Sequence, residues 1–247
     1  MTKLFLFNMK KIIRFIFGFL ASFVILISLA QASKVDKNTS LIPAGDFFMG
    51  TEEGTNVERP VHKVFLREYK ISRFEVTNLE FENFQPSHKR SVSSFCDQCP
   101  VTMVNWFEAN SYCKHKKGRL PSEAEWEKAG RGPGGDTFSF GISPDHSKGN
   151  YGRDFQAGAK IVNSYQPNGF GLHNMSGNVW EWVDDWFMVY AMDSIENLTR
   201  ENTSNEKVLR GGSWYNSSYY VNLGMRFKLS PHIRLNSVGF RCVWDAY

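Results

Sequence analysis

The stretch Asn168-Gly169-Phe170-Gly171-Leu172-His173-Asn174-Met175-Ser176-Gly177-Asn178-Val179-Trp180-Glu181-Trp182-Val183-Asp184-Asp185-Trp186 decides how this chain is read. Its first half is dense in glycine and asparagine, which turn the backbone and leave carbonyls exposed. Its second half sets Trp180, Trp182 and Trp186 among carboxylates. A regular core strand does not carry so many turn residues. Asn174, Asn178 and Glu181 bring hard oxygens to an irregular loop, the donor chemistry of Ca²⁺, which takes six to eight such ligands. On residues alone the segment reads equally well as a Trp-rich hairpin whose polar side chains cap turns, and both readings stand at this point.

Working outward, the flanking sequence predicts helices with defined starts. Thr77-x-x-Glu80 is a capping box ahead of Phe81 and Phe84, and Pro86 stops that helix. Asn105 caps a second helix over Trp106–Lys117 with Glu108 at its third position, and Gly118 ends it. Ser122-x-x-Glu125 opens a third, which carries Trp126 and Ala129 and ends at Gly130. Capping and dipole roles account for Glu123 and Glu125 without catalysis. Val64 and Leu66 alternate with Lys63 and Arg67, as in a half-buried strand, and Val101–Val104 reads as another. Between Gly130 and Gly171 the chain is rich in Gly, Pro, Asn and Asp, and a structureless stretch of that length is usually functional or held by an ion. Asn150 and Asp154 are the oxygen donors best spaced to hold it.

The chain has 247 residues, enough for one domain with a sizeable core. Residues 1–32 read as a secretory signal: Lys10, Lys11 and Arg14, an apolar run from Phe15 to Leu29, and Ala30-Gln31-Ala32 before Ser33. That run is short for a membrane span, so the expectation is an exported protein, periplasmic or secreted, with no span after cleavage. A polar leader over 33–40 then precedes a domain over 41–247. The signal carries four cations and no acid, so the net charge of +4 falls to zero in the mature chain. No basic domain is left to argue for nucleic acid. Residues 191–207 read as a polar surface insertion with Asn-x-Ser/Thr sequons at Asn197 and Asn202. His173 and His232 lack the companions of a Ser/His/Asp or Cys/His arrangement.

Four cysteines in an exported chain suggest disulfides, with three possible pairings. The Cys96-x-x-Cys99 pair admits three readings. A redox pair normally opens a helix, whereas Pro100 follows here. A zinc knuckle requires two further ligands, and His88 stands alone nearby. A local structural disulfide is the favoured reading.

A set of motifs gives the chain a resemblance. In order they are Ile42-Pro43-Ala44-Gly45 with Phe48-Met49-Gly50, Glu58-Arg59-Pro60-Val61-His62, Phe74-Glu75-Val76-Thr77-Asn78, and Pro100-Val101 with Val104-Asn105-Trp106. Then come Arg119-Leu120-Pro121-Ser122-Glu123-Ala124-Glu125-Trp126-Glu127, Asn174 to Trp182, Arg210-Gly211-Gly212-Ser213-Trp214, and Gly239-Phe240-Arg241-Cys242. The chain resembles the sulfatase-modifying-factor family, the formylglycine-generating-enzyme type of domain, over roughly residues 41–244. The resemblance implies a single irregular α+β domain of the C-type-lectin-like fold, low in regular secondary structure. It implies a long-range bridge between Cys113 and Cys242, which leaves Cys96 and Cys99 to each other. It implies two structural Ca²⁺ sites: one from the Asn150 and Asp154 side chains with the Tyr151 and Gln156 carbonyls, the other from the Asn174 side chain, the Gly177 and Val179 carbonyls and the Glu181 carboxylate.

The resemblance also shows a departure. The family's oxidases bind copper(I) through two cysteines shortly after the Gly-Gly-Ser-aromatic motif, and Cu(I) prefers thiolates. The corresponding positions here are Asn216 and Val221, so copper is not expected. Trp214, Tyr215, Asn216, Ser217, Tyr219, Tyr220 and Arg226 are expected around a cleft, lined as small-molecule or peptide sites often are. Arg210, Arg226 and Arg241 are expected to pair with carboxylates such as Asp184, Asp185 and Glu75. Two functions follow from these readings: a calcium-stabilised binding or accessory module for an envelope protein or peptide, or an oxidoreductase of the same family that does not use the cysteine pair.

Overall fold

The computed structural model describes residues 38–190 and 204–246. The expected signal over 1–32, most of the polar leader and the sequons at Asn197 and Asn202 lie outside the described residues. The centre of the fold is strand β5, Trp180–Trp186, which is the second half of the decisive stretch. It pairs antiparallel with β6, Lys207–Arg210, and parallel with β8, Val238–Phe240; β7, Arg226–Leu229, completes the sheet in the order β7-β6-β5-β8. A central strand is covered on both faces, and Trp180, Glu181, Trp182 and Val183 are all buried. Successive side chains alternate faces. Trp180 and Trp182 enter a core with Phe81, Tyr112 and Phe240, while Val183 enters a second with Trp126, Met175 and Ile71.

A register shift interrupts β5 between Trp182 and Trp186. Its cause is visible at Asp184 and Asp185. The Asp184 carbonyl accepts from Lys207 Nζ at 2.6 Å, and that ammonium lies 4.1 Å and 4.0 Å from the Trp106 and Trp186 ring centroids. The Asp185 carboxylate accepts from the Glu123 N–H at 2.6 Å. The bulge therefore delivers an acceptor to a free N–H at the start of a helix.

Two smaller sheets flank this one. Strands β1 (Thr39–Ile42), β4 (Tyr69–Ser72) and β9 (Val243–Asp245) form one in the order β1-β4-β9, and β2 (Gly45–Met49) pairs with β3 (His62–Leu66) in the other. Helices α1 (Asn78–Phe84), α2 (Trp106–His115) and α3 (Glu123–Arg131) each open on the expected capping box, at Thr77/Glu80, Asn105/Glu108 and Ser122/Glu125. The architecture is the expected single irregular α+β domain. No helix among the described residues is long and apolar enough to cross a membrane.

Three boundaries differ from expectation. Helix α2 stops at His115 rather than Lys117, because Lys117 takes φ +60° and Gly118 folds back to donate to the Cys113 carbonyl. A Cβ at Gly118 would lie 2.5 Å from the Val243 carbonyl, so only glycine lets the turn meet the last strand. Helix α3 runs one residue past Gly130, to Arg131. Residues 101–104 form no strand: Met103, at φ +58°, turns the chain, and Val101 and Val104 are buried in the core instead of paired in a ladder.

Both expected disulfides are present. Cys113–Cys242 ties α2 to the residue before β9, and Cys96–Cys99 closes a local turn, with Cα separations of 5.5 Å and 5.0 Å. No cysteine is free.

Candidate functional site

The loop that leads into β5 is built by asparagines. Asn168 accepts from the N–H groups of Phe170 and Leu172 and donates to the Ala129 and Gly130 carbonyls, so it fastens the loop to the end of α3. Asn174 and Asn178 take φ +58° and +67°, a conformation asparagine tolerates better than most residues. Their amides converge on Glu75: Asn174 Nδ2 reaches Oε2 at 3.0 Å and Asn178 Nδ2 reaches Oε1 at 2.7 Å. Glu75 is buried, and its acid is pushed up to about 7, first by burial and then by the nearby Glu181, against the pull of Arg241 and the asparagines.

Glu181 lies next in this network. Arg241 grips it with Nε and Nη2, both at 2.7 Å, and Trp126 Nε1 donates to the same carboxylate at 2.8 Å. Arg241 also donates to the carbonyls of His173, Ser72 and Arg73, so one guanidinium ties together the loop, β4 and β5.

These contacts bear on the expected Ca²⁺ ligands. No group of three or more His, Cys, Asp or Glu suited to a metal occurs among the described residues, so any cation must be held largely by asparagine and backbone oxygens. Asn150 supplies one. Its Nδ2 donates to the Gly158 carbonyl and to Asn178 Oδ1, whereas its buried Oδ1 has no donor. A buried carbonyl oxygen without a partner is costly unless something electropositive faces it, and this fits a hard cation. Tyr151 is buried beside it, while Asp154 and Gln156 are exposed at a short 3₁₀ turn, Phe155–Ala157. In the other set, both amide hydrogens of Asn174 are used, on Glu75 and the Val162 carbonyl, which leaves its oxygen for a ligand. Gly177 and Val179 follow in the same turn, but the Glu181 carboxylate is already neutralised by Arg241. The fit is good at Asn150 and Asn174 and shared at Glu181.

The positions that would hold copper do other work. Asn216 Oδ1 accepts from the Ser213 N–H at 2.9 Å and hydroxyl at 2.6 Å, which closes the turn after Gly212. Val221 is fully buried against Phe138 and Tyr151. With all four cysteines in disulfides, no thiolate is left for a soft metal.

The structure does not bring the expected cleft residues into one cleft. Trp214 is buried and donates from Nε1 to the Phe155 carbonyl. Tyr215 is 37% exposed, stacks at an angle on Phe155 with ring centroids 5.2 Å apart, and places its hydroxyl 3.4 Å from Ser237 Oγ. Nearby, Trp180 carries the exposed ring of Phe227 at 5.5 Å, and the Trp180 N–H donates to the Ser237 carbonyl. Leu235 and Phe155 are also exposed, and Phe155 meets the Tyr215 ring at the surface. Tyr219 instead lines a separate cavity with Glu58, and Tyr220 stands exposed beside it. Arg226 is 4% exposed. It makes a two-pronged pair with Glu123, at 2.6 Å and 2.7 Å, because a guanidinium at that depth needs a carboxylate.

Of the three carboxylates expected beside Arg210, Arg226 and Arg241, only Glu75 lies near one, Arg241. Arg210 pairs with Glu127 and lies 3.5 Å from Glu123; Arg131 shares Glu127; Arg241 takes Glu181. Asp184 and Asp185 pair with none of the three. The sequence gives Glu123 a helix-start role and Glu127 none beyond its place in a family motif, and their i,i+4 spacing sets both on one face of α3. Phe155 was not anticipated in the aromatic face, since a lone aromatic in a glycine-rich stretch carries no periodic signal.

Comparison with known proteins agrees with this geometry. The family model described as a sulfatase-modifying factor enzyme 1-like domain matches residues 28–246. The chain is 29% identical over 277 residues to the formylglycine-generating enzyme of Streptomyces coelicolor, across 83% of this chain and 88% of that one. It is 31% identical over 234 residues to the serine/threonine-protein kinase pkn1 of Chlamydia pneumoniae, across 82% of this chain and 37% of the kinase, so it spans little more than a third of that protein's length. The structure of PvdO from Pseudomonas aeruginosa superposes with a TM-score of 0.71 at 24% identity, covering 84% of this chain and 94% of that one, a likeness of fold.

Proposed function

The chain belongs to the sulfatase-modifying-factor family, and from that premise we propose that it is an exported binding or accessory module of the cell envelope and not a formylglycine-generating oxidase. The observation that carries this is the pair Asn216 and Val221 where the oxidases have copper cysteines, together with the locking of every cysteine of this chain in a disulfide. Valine cannot ligate a metal, and asparagine offers a hard oxygen that here closes a turn. The two disulfides support an oxidising compartment.

The partner is a protein or peptide, and the aromatic face around Tyr215, Phe155 and Phe227 is where it sits. Rigid aromatics exposed on a disulfide-tied scaffold contribute contact area at low entropic cost. Calcium, when bound, supplies positive charge to the oxygens of Asn150 and Asn174 and so holds the 150–178 loops that support this face.

Two measurements test the proposal. A photo-crosslinking residue at Tyr215 should trap an envelope partner in cells, and the same residue at Phe48, on the outer face of β2, should not. Equal trapping at both positions would remove the face from consideration. Incubation of the mature domain with copper, reductant, oxygen and a sulfatase-type cysteine peptide should leave the peptide mass unchanged; oxidation of the peptide would return the chain to the oxidases.

A further inference from the structure

Six glutamates are buried among the described residues: Glu58, Glu75, Glu123, Glu125, Glu127 and Glu181. Five have an arginine as charge partner. Glu75 and Glu181 face Arg241, Glu123 faces Arg226, Glu125 faces Arg119, and Glu127 faces Arg210 and Arg131. Glu58, at 1% exposure, has none among the described residues. Its Oε2 accepts from the Thr55 N–H, and its Oε1 accepts from nothing described. A carboxylate at that depth with one oxygen undonated is a place where a cationic partner stabilises the fold.

Glu58 lines a cavity of about 380 Å³. The wall includes a second carboxylate, Glu53, together with Thr51, Phe138, Ile142 and Tyr219, and no lysine or arginine is among its lining residues. The lining thus combines two carboxylates with apolar side chains and an aromatic ring. Burial first and the Glu58 charge second hold the Tyr219 phenol above its ordinary range. The loop is shaped to keep the acid there: a Cβ at Gly54 would collide with Glu58 Oε2, so glycine is what lets the carboxylate fold in against Thr55.

We propose that this cavity binds an organic cation, a primary ammonium or guanidinium on a short apolar stem, with Glu58 Oε1 as its acceptor. Glu53 adds a second charge at the mouth, Phe138 and Ile142 cover the stem, and the Tyr219 ring lies where a cation–π contact forms. The volume suits a side chain or a small amine, near the lower end of ligand pockets. Tyr215 and its neighbours Phe155 and Ser237 do not line the cavity, so this inference is independent of the aromatic face and of any partner there.

The test is calorimetric titration of the mature chain with L-argininamide and with a capped five-residue peptide, Ala-Ala-Arg-Ala-Ala, beside the same peptide with citrulline in place of arginine. Saturable binding of an arginine probe is expected, lost with citrulline and weakened at least about tenfold by Glu58→Gln. Gln keeps an oxygen for the Thr55 N–H, so this variant should retain the fold, as tryptophan fluorescence would verify. Glu53→Gln, at an exposed residue, is the second variant; it should weaken binding severalfold and reduce its salt dependence. Tighter binding of the peptide identifies a side chain of a polypeptide as the natural ligand, and equal binding identifies a free amine. Failure of both arginine probes to bind, or unchanged binding in both variants, overturns the proposal.

Discussion

Consider the removal of one partner from the pair at the centre of the molecule, Glu181→Gln or Arg241→Met. Both side chains are shielded from solvent, Arg241 completely and Glu181 all but 1%. Two charge-assisted bonds of 2.7 Å join them, and Trp126 adds a third to the carboxylate. Breaking a buried pair from one side leaves the other ion uncompensated and destabilises by about 3–5 kcal/mol. For a domain of this length each kcal/mol shifts the midpoint by about 2–4 °C, so either single variant should melt on the order of 10 °C lower. The double variant should do better than the sum of the singles, because no orphan ion is left, with a coupling of about 1–3 kcal/mol. Urea unfolding of the four proteins, in calcium and again in chelator, measures the cycle. Additive losses would refute the pairing. Arg241→Met that is harmless in calcium and damaging only in chelator would also refute it, by making the ion the true partner of Glu181.

Loss of the Cys113–Cys242 bridge, whose partners lie 129 positions apart, should destabilise by about 4–5 kcal/mol in the chain-entropy model, and loss of Cys96–Cys99 by far less; denaturant midpoints of the two double-alanine variants decide this. Calcium at about 100 times its dissociation constant should add about 2.7 kcal/mol, and Asn150→Ala should lessen that gain; melting curves unaffected by chelator would count against the site. Asp185 is raised to about 6 by burial first and by Glu123 second. Its protonated form suits the fold, so its contribution is full below the unfolded value near 4 and is lost as pH rises through 6. Asp185→Asn should therefore flatten the stability curve between about pH 4 and 6, and an unchanged slope there would contradict the assignment.

How much of this was legible depended on the range of the interaction. Each capping box joins residues three apart, and Thr77, Asn105 and Ser122 all cap as their spacing says. The family motifs carried the fold class and the long disulfide. Contacts across the chain were less accessible. Arg226 meets Glu123 across 103 positions, and nothing local marks Glu123, and not the nearer Asp184, as its partner. Tyr215 and Tyr219 are four residues apart yet face different surroundings, because a 3₁₀ turn over Ser218–Val221 rotates the chain between them. Val101–Val104 is rich in β-branched residues, as a strand would be, but Met103 turns the chain at φ +58° and Val101 and Val104 go into the core.

The eight residues from Val238 to Asp245 complete two sheets. Val238–Phe240 supplies the parallel neighbour of β5, Cys242 receives Cys113, and Val243–Asp245 forms the edge beside β4. The timing of folding follows from this. As the chain emerges, the early helices and hairpins are available, but β5 lacks a flank and Cys113 lacks its mate until the closing segment arrives. Unpaired strand edges of that kind are where nascent chains stick to one another. Long-range closure of this sort also slows collapse to the native state. Slow closure leaves both sheets unfinished until β8 and β9 dock, and the bridge between Cys113 and Cys242 then locks the result.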